Sequence, residues 1–162
     1  MEPFEQGVIA LLPRLRRFAL GLSGNAADAD DLVQQGIERA LRARSQWRPG
    51  TRLDSWLYRI VRNAWIDTAR ARGRQAKLIQ PEEAGERVGH DPVPAIEARI
   101  DLASVMQAMD ALPDEQREAV ALVLIEGLGY REAAEVLEIP PGTLASRLAR
   151  GRSALLAMLG EG

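Results

Sequence analysis

The residues best suited to chemistry lie near the end of the sequence, between positions 139 and 159. This stretch has no acidic residue, and its polar side chains include Thr143, Ser146, Arg147, Arg150 and Arg152. Hydroxyl and guanidinium groups donate hydrogen bonds to phosphate oxygens and to the acceptor edges of bases. The pattern therefore predicts contact with nucleic acid.

A basic loop at residues 44–52 carries a second group of this kind, because Trp47 lies there among arginines that include Arg48. Bases can stack on an indole ring while phosphates contact arginines, so such a loop can hold single-stranded nucleic acid. The alternative is that Trp47 packs back onto its own domain.

Residues 53–72 form the longest uninterrupted pattern, with apolar residues every three or four positions. This spacing predicts a helix with one buried face. Its other face is largely basic and is suited to lie along duplex DNA. The candidate residues on that face are Arg59, Arg62, Asn63 and Asp67.

The composition argues against catalysis and metal binding. The chain of 162 residues has no cysteine and one histidine, His90. A Ser-His-Asp set would have to use His90, and the sequence shows neither a metal-binding cluster nor a glycine-rich phosphate loop. We expect no enzymatic activity, no cofactor and no metal. Absence of cysteine is typical of the reducing cytoplasm, and no apolar run is long enough to span a bilayer.

The C-terminal polar residues are predicted to lie on a helix-turn-helix. Residues 130–137 form the first helix, with Gly129 at its N-cap. A short turn at 138–140 precedes Pro141, and proline is favoured at the first position of a helix. The second helix would run to about residue 159, and the second helix of such a unit can enter the major groove. A plain packing hairpin with a solvated basic face is the alternative.

Two further helices are predicted before the basic loop. Residues 1–22 have helical periodicity, but Pro13 is expected to kink this helix or divide it into two pieces. Residues 28–43 begin with acidic side chains, which interact favourably with the N-terminal end of the helix dipole. The outward face of this second helix is polar.

The expected fold class is all-α, because no strand pattern appears. We expect two small helical domains, at 1–75 and 95–162, joined by a flexible linker at 76–94 that is rich in proline and glycine. The net charge of −2 conceals a basic segment at 58–78 and an acidic one at 80–101. This alternation favours DNA-facing surfaces separated by an acidic connector.

The order of these segments resembles the extracytoplasmic-function sigma factors of bacterial RNA polymerase. The resemblance rests on an acidic DADDLVQQ helix, a Trp-Arg-Pro-Gly loop, the helix SWLYRIVRNAWIDTAR, a variable linker and a C-terminal segment that starts ALPDEQREAV. It covers nearly the whole chain, with both domains in the family's order.

The resemblance implies a role for each group of residues. The basic loop and the helix after it would recognise and open the downstream promoter element, and the helix-turn-helix would read the upstream element. An anti-sigma factor bound across both domains would control the protein. The acidic helix would dock on the clamp of the largest subunit of core RNA polymerase through Asp31, Gln34, Gln35 and Glu38.

The chain departs from the family pattern in three places. In the docking helix, Gln35-Gly36-Ile37 replaces a frequent Glu-Thr-Phe. Ala145 replaces a lysine that is usual in the reading helix, and Glu138 replaces a glycine that is frequent in the turn. These departures motivate one alternative, a sigma-like decoy that sequesters an anti-sigma factor. A stand-alone helix-turn-helix repressor is a further alternative, but no dimerisation helix is evident.

Overall fold

The computed structural model describes residues 2–78 and 102–161, and these ranges contain helices and turns without a β-strand. The α-helices are α1 (Pro3–Ser23), α2 (Ala26–Arg42), α3 (Leu53–Leu78), α4 (Leu102–Asp110), α5 (Asp114–Val120), α6 (Tyr130–Leu137) and α7 (Pro141–Leu156). A 3-10 turn (Arg44–Gln46) precedes α3, and π-type turns (Ala121–Ile125 and Ala157–Glu161) follow α5 and α7. The prediction of an all-α fold is confirmed.

Helices α1, α2 and α3 pack against one another around an apolar core. Asn25 caps α2, since its side-chain oxygen accepts a hydrogen bond from the Asp28 backbone N–H at 2.8 Å. Helix α2 lies close to α3 at Gly36, where a Cβ atom would lie 2.7 Å from Val61 Cγ2. The largest fully buried side chains of this bundle are Leu15, Phe18, Leu22, Leu57, Tyr58 and Val61.

Helix α1 differs from the prediction at Pro13. The helix is continuous from Pro3 to Ser23 with Pro13 inside it, so the expected division into two pieces is wrong. Helix α3 continues through Leu78. Residues 79–94 of the expected linker, and residues 95–101 of the expected second domain, lie outside the described residues.

Helices α4 to α7 form the C-terminal group, in which α5 packs on α7. The contact is close at Gly151, where a Cβ atom would lie 2.8 Å from Val120 Cγ2. Pro113 is the N-cap residue of α5, and Asp114 is the first residue of the helix. Its Oδ1 accepts a hydrogen bond from Arg117 at 3.2 Å.

Arg117 secures the corner between α4 and α5. Its guanidinium group donates to the backbone oxygens of Met109 (2.8 Å), Asp110 (3.0 Å) and Leu112 (2.7 Å). These carbonyl groups lie at and just beyond the end of α4, where a helix leaves its last acceptors unpaired. A fourth bond of 3.2 Å reaches the backbone oxygen of Leu22, at the end of α1.

The two groups of helices pack against each other. Helix α1 contacts α4 and α5, and α3 contacts α6, so the buried apolar residues form one cluster. Gly21 lies at this boundary, because a Cβ atom there would be 3.7 Å from Met109 Cε and 3.8 Å from Ala121 Cβ. The described residues therefore adopt a closed arrangement.

Candidate nucleic-acid interface

The helix-turn-helix is formed by α6 and α7, as the sequence predicts. Gly129 is the N-cap residue of α6, and its N–H donates to Glu132 Oε1 at 3.1 Å. Glu138 ends α6 in the left-handed conformation, with φ of 57°. The Ile139 N–H then donates to Ala134 O at 3.0 Å, and Pro141 begins α7. Local signals therefore determine both the start of α6 and the turn.

Helix α7 buries its apolar stripe and leaves its polar face accessible. Leu144, Leu148 and Leu155 are buried. Arg147 is half-buried, and its Nε atom lies 3.5 Å from Glu115 Oε2. Thr143 is half-buried, whereas Ser146, Arg150 and Arg152 are exposed. Thr143, Ser146, Arg147 and Arg150 therefore share one accessible side of the helix, whereas Arg152 is exposed on a different side.

The basic face of α3 is in contact with the C-terminal group. Arg62 donates to the carboxylate of Glu118, with its shortest contact at 3.0 Å, and also to Asn63 Oδ1 at 3.4 Å. Arg59 donates to the backbone oxygen of Glu135 at 2.8 Å. Among the described residues, no hydrogen-bond acceptor reaches the buried Nε atom of Arg59. In this arrangement both arginines serve contacts within the chain.

The other residues predicted to meet the downstream element lie nearer the solvent. Asp67 is exposed and accepts a hydrogen bond from Arg39 at 2.9 Å. Arg48 is exposed at the turn before α3. The Trp47 ring lies against Phe4, with ring centroids 5.7 Å apart, and is half-buried. Its Nε1 atom is buried and has no hydrogen-bond partner among the described residues.

The predicted docking face is on α2. Asp31, Gln34 and Glu38 are exposed, and Gln35 is half-buried, so all four side chains reach one outward surface. Asp31 and Gln35 also line a cleft that includes Asp114 and Arg117. The first turn of α5 therefore borders this face.

Two buried carboxylates, which sequence analysis did not predict, join the two groups of helices. The Glu126 side chain is fully buried and accepts hydrogen bonds from Arg17 Nε at 2.8 Å and Arg17 Nη2 at 2.9 Å. The hydroxyl of Tyr58 also donates to Glu126, at 2.6 Å. Glu118 is 3% exposed and holds Arg62. Local sequence patterns could not predict these contacts, because each acid lies far along the chain from its partners.

Burial and these contacts perturb the titration of the buried groups. Burial raises the pKa of Glu118, and the nearby Arg62 opposes this shift only in part. Burial, together with the hydrogen bond to Glu126, raises the pKa of the Tyr58 hydroxyl. Burial would raise the pKa of Asp54, but hydrogen bonds from Arg52 and the Ser55 N–H prevail and lower it. Because its pKa is raised, the Tyr58 hydroxyl keeps its proton at physiological pH and acts as a hydrogen-bond donor.

The described part of the chain contains no cluster of histidine, cysteine, aspartate or glutamate that could hold a metal ion. None of its helices is long and apolar enough to cross a membrane.

Comparison with known families gives two matches that follow one another along the chain. The Sigma-70 region 2 model matches residues 8–75, which include α1, α2 and most of α3. The Sigma-70 region 4 model matches residues 102–155, which run from α4 into the last turn of α7.

Two relatives with similar sequences are ECF RNA polymerase sigma factors. The ECF RNA polymerase sigma factor EcfG of Rhodopseudomonas palustris is 38% identical over 158 residues, covering 98% of this chain and 86% of that protein. The ECF RNA polymerase sigma factor SigE of Mycolicibacterium smegmatis is 40% identical over 145 residues. That match covers 88% of this chain and 56% of SigE.

Two solved structures share the architecture. The sigma factor RpoE of Bartonella quintana, in complex with the anti-sigma factor NepR, has a TM-score of 0.81 and 32% identity. The alignment covers 98% of each chain. CnrH, in complex with the cytosolic domain of CnrY, has a TM-score of 0.68 and 26% identity, covering 96% of this chain and 86% of that one.

Proposed function

The chain belongs to the ECF RNA polymerase sigma factors, and from this premise we propose which surfaces perform each step of promoter recognition. Helix α2 docks on the clamp of core RNA polymerase. The Trp47 loop and α3 recognise and open the downstream promoter element. Helix α7 reads the upstream element. The two domains proposed for these roles are residues 1–75 and 95–162, with a linker at 76–94.

The accessible polar face of α7 is the observation that carries this proposal. The face begins one turn after Pro141, at the end of the helix that enters the major groove in a helix-turn-helix protein. Its hydroxyl and guanidinium donors suit base edges and phosphates. The four donors nearest that end are Thr143, Ser146, Arg147 and Arg150, and Arg152 would meet phosphate.

The downstream element would be held by a different chemistry. Duplex phosphates would pair with Arg48, Arg59 and Arg62, and an unstacked base would meet the Trp47 ring. The ring would have to leave Phe4, whose centroid is 5.7 Å away. Asn63 and Asp67 would supply hydrogen bonds to base edges or exposed strands.

Control by an anti-sigma factor is also proposed. RpoE of Bartonella quintana, which is similar over nearly the whole chain, was solved with an anti-sigma factor. The decoy alternative rested partly on Gly36, but this glycine is buried against Val61. Its small size therefore serves helix packing and leaves the exposed docking face intact.

Run-off transcription with core polymerase and fragmented genomic DNA tests promoter reading. Wild-type protein should yield discrete transcripts that share an upstream motif. An Arg147→Ala, Arg150→Ala variant should lose these transcripts and keep its affinity for core polymerase. The control is Arg16→Ala, which removes an exposed arginine from α1 and should transcribe normally. Unchanged transcription by the double variant would refute the role of α7.

Binding to core polymerase is tested separately by fluorescence anisotropy. An Asp31→Ala, Gln34→Ala variant should bind more weakly, because both exposed side chains lie on the proposed docking face of α2. Wild-type affinity in this variant would remove these residues from the polymerase interface. Absence of both core binding and transcripts in the wild type would favour the decoy.

A further inference from the structure

The contact between the two family regions is polar at its edges and depends on Glu126. This carboxylate lies just after the π-type turn at Ala121–Ile125, in the region 4 part of the chain. Its partners, Arg17 and Tyr58, lie on α1 and α3 in the region 2 part. A fully buried carboxylate needs such partners, because burying an unpaired charge is costly. Separation of the two regions would expose Glu126 to water.

Further contacts close the same boundary along α3. Arg52 pairs with Glu132, and Arg59 donates to the Glu135 backbone oxygen at 2.8 Å. Arg62 is held by Glu118. The α3 face is thus covered by residues of α5 and α6, which belong to the region 4 match.

These contacts occupy groups that the proposed function assigns to DNA. Arg59 and Arg62 cannot pair with promoter phosphates while they donate to Glu135 and Glu118. The carboxylate of Glu118 is an anionic acceptor, as a phosphate is, so it competes directly with DNA for Arg62. Arg59 is engaged by the neutral backbone oxygen of Glu135. The first turn of α5 also borders the docking face at Asp31 and Gln35.

The contact is also suited to reversal. Arg17 keeps 52% of its side chain exposed, so water can replace its contacts as the regions separate. The buried Nε atom of Arg59 has no hydrogen-bond acceptor among the described residues, and separation would hydrate it. Water can therefore replace the polar contacts of this boundary when the regions separate.

We infer that the free protein is autoinhibited by this contact, with Glu126 holding Arg17 and Tyr58 while Glu118 and Glu135 occupy the DNA-binding arginines of α3. The inference rests on the proposed role of α3. Promoter recognition requires the region 4 helices to leave α3, so the closed form cannot initiate transcription.

A reversible covalent bond between the regions tests this inference. A Cβ atom at Gly21 would lie 3.8 Å from Ala121 Cβ, which is a separation typical of disulfides. The natural sequence has no cysteine, so a Gly21→Cys, Ala121→Cys variant has one possible intramolecular disulfide. Gly21 lies in α1 and Ala121 in the turn after α5, so this bond would fix the closed arrangement.

The oxidised double variant should form the disulfide in high yield and lose run-off transcription. Reduction with dithiothreitol should restore transcription to the level of the two single-cysteine variants. Full transcription by the oxidised protein would overturn the inference. A low disulfide yield in a variant that is folded by circular dichroism would overturn it as well, because the closed arrangement would then be sparsely populated.

Weakening the contact should have the opposite effect. In the double-cysteine background, Glu126→Gln removes the charge that Arg17 and Tyr58 bind, and disulfide formation should slow about tenfold. Arg17→Gln removes the guanidinium group that binds Glu126, and it should slow disulfide formation in the same way. The control is Glu135→Gln, because Arg59 binds the backbone oxygen of that residue and its side chain is exposed. Unchanged rates in both test variants would contradict the inference.

These measurements separate the inference from the proposed function. If the reduced double variant and the wild type both fail to transcribe, the proposed sigma activity fails. The disulfide yield and its response to Glu126→Gln require neither polymerase nor DNA, so they still decide whether Glu126 holds the regions together.

Discussion

Tyr58 combines an apolar contact and a polar one within a single side chain. Its ring packs edge-on against Phe18, with centroids 5.1 Å apart, and the guanidinium of Arg14 lies 5.6 Å from its centroid. Its hydroxyl reaches Glu126 at 2.6 Å. Tyr58 therefore couples the core of the first three helices to a carboxylate of the C-terminal group.

Replacing Tyr58 with phenylalanine isolates the hydroxyl. The ring contact with Phe18 is kept, and the hydrogen bond to the Glu126 carboxylate is lost. Since hydrogen bonds to charged groups are worth about 1.5–3 kcal/mol, we expect the free energy of unfolding to fall by about 1.5 kcal/mol in urea titrations. Tyr130→Phe is the matched control, because Tyr130 is 53% exposed. Equal stability of the two variants would show that the Tyr58 hydroxyl contributes nothing.

Glu138 is a residue in a conformation that favours glycine. Its φ of 57° lies in the left-handed region, where a side chain with a Cβ atom is disfavoured. Glu138→Gly should therefore raise the free energy of unfolding by about 0.5–1 kcal/mol, as thermal or urea denaturation can measure. Glu138→Ala keeps the Cβ atom and should not gain this stability. A less stable Glu138→Gly variant would contradict this reasoning.

At the scale of the helix, Gly36 and Val61 set how closely α2 approaches α3. A Cβ atom at Gly36 would lie only 2.7 Å from Val61 Cγ2, so the packing benefit of glycine outweighs its low helix propensity. The same reasoning applies to Gly151 beside Val120. Small residues in this chain therefore mark the positions where helices are closest.

Substitution of Gly36 by alanine should destabilise the protein, although alanine is the better helix former. Overpacking of a core typically costs about 1–3 kcal/mol, and we expect a loss in this range in urea titrations. Val61→Ala in the same chain should recover part of it by removing the colliding methyl group. Gly142→Ala is the control, because no atom lies within 4 Å of its added Cβ. Stabilisation by Gly36→Ala would refute this account.

Local sequence signals were sufficient for α6 but not for α1. The bounds of α6 agree with the prediction because Gly129, Glu132 and the prolines after Glu138 act within a few residues. Pro13 was overestimated as a helix breaker. Its cost of about 3 kcal/mol is exceeded when one helix buries several large side chains at about 1.5–3 kcal/mol each. Those of α1 are Phe4, Val8, Leu15, Phe18 and Leu22.

At the scale of the whole molecule, the closed arrangement was beyond sequence reasoning. Periodicity predicts which face of a helix is buried, but it does not identify the partner. Glu118 and Glu126 have no local feature that separates them from solvated acids, and Arg59 and Arg62 had been predicted only to face DNA. Sequence analysis predicted the helix and its arginine-rich face, but it did not predict that Glu118 contacts Arg62 on that face.

Glu118 should make the free energy of unfolding depend on pH. The folded protein holds the Glu118 proton more tightly than the unfolded chain does, because burial raises its pKa despite Arg62. The contribution of Glu118 to stability therefore falls as pH rises from the ordinary glutamate range through the raised pKa. Glu118→Gln removes this effect and should leave the free energy of unfolding at neutral pH equal or higher.

Urea titrations of wild type and Glu118→Gln at a series of pH values measure this difference directly. The stability of the variant minus that of the wild type should increase through that pH window and become constant above it. Parallel pH profiles would mean that the pKa of Glu118 is the same in the folded and unfolded chain. In that case Arg62 fully offsets the burial of the carboxylate.

The hydrogen bonds of Arg117 indicate which contacts break when the two groups of helices separate. Three of its backbone acceptors belong to the corner between α4 and α5, and one belongs to the end of α1. Separating the regions at this point breaks a single bond to a neutral acceptor and leaves the corner braced. The corner between α4 and α5 should therefore stay intact when the two groups of helices separate.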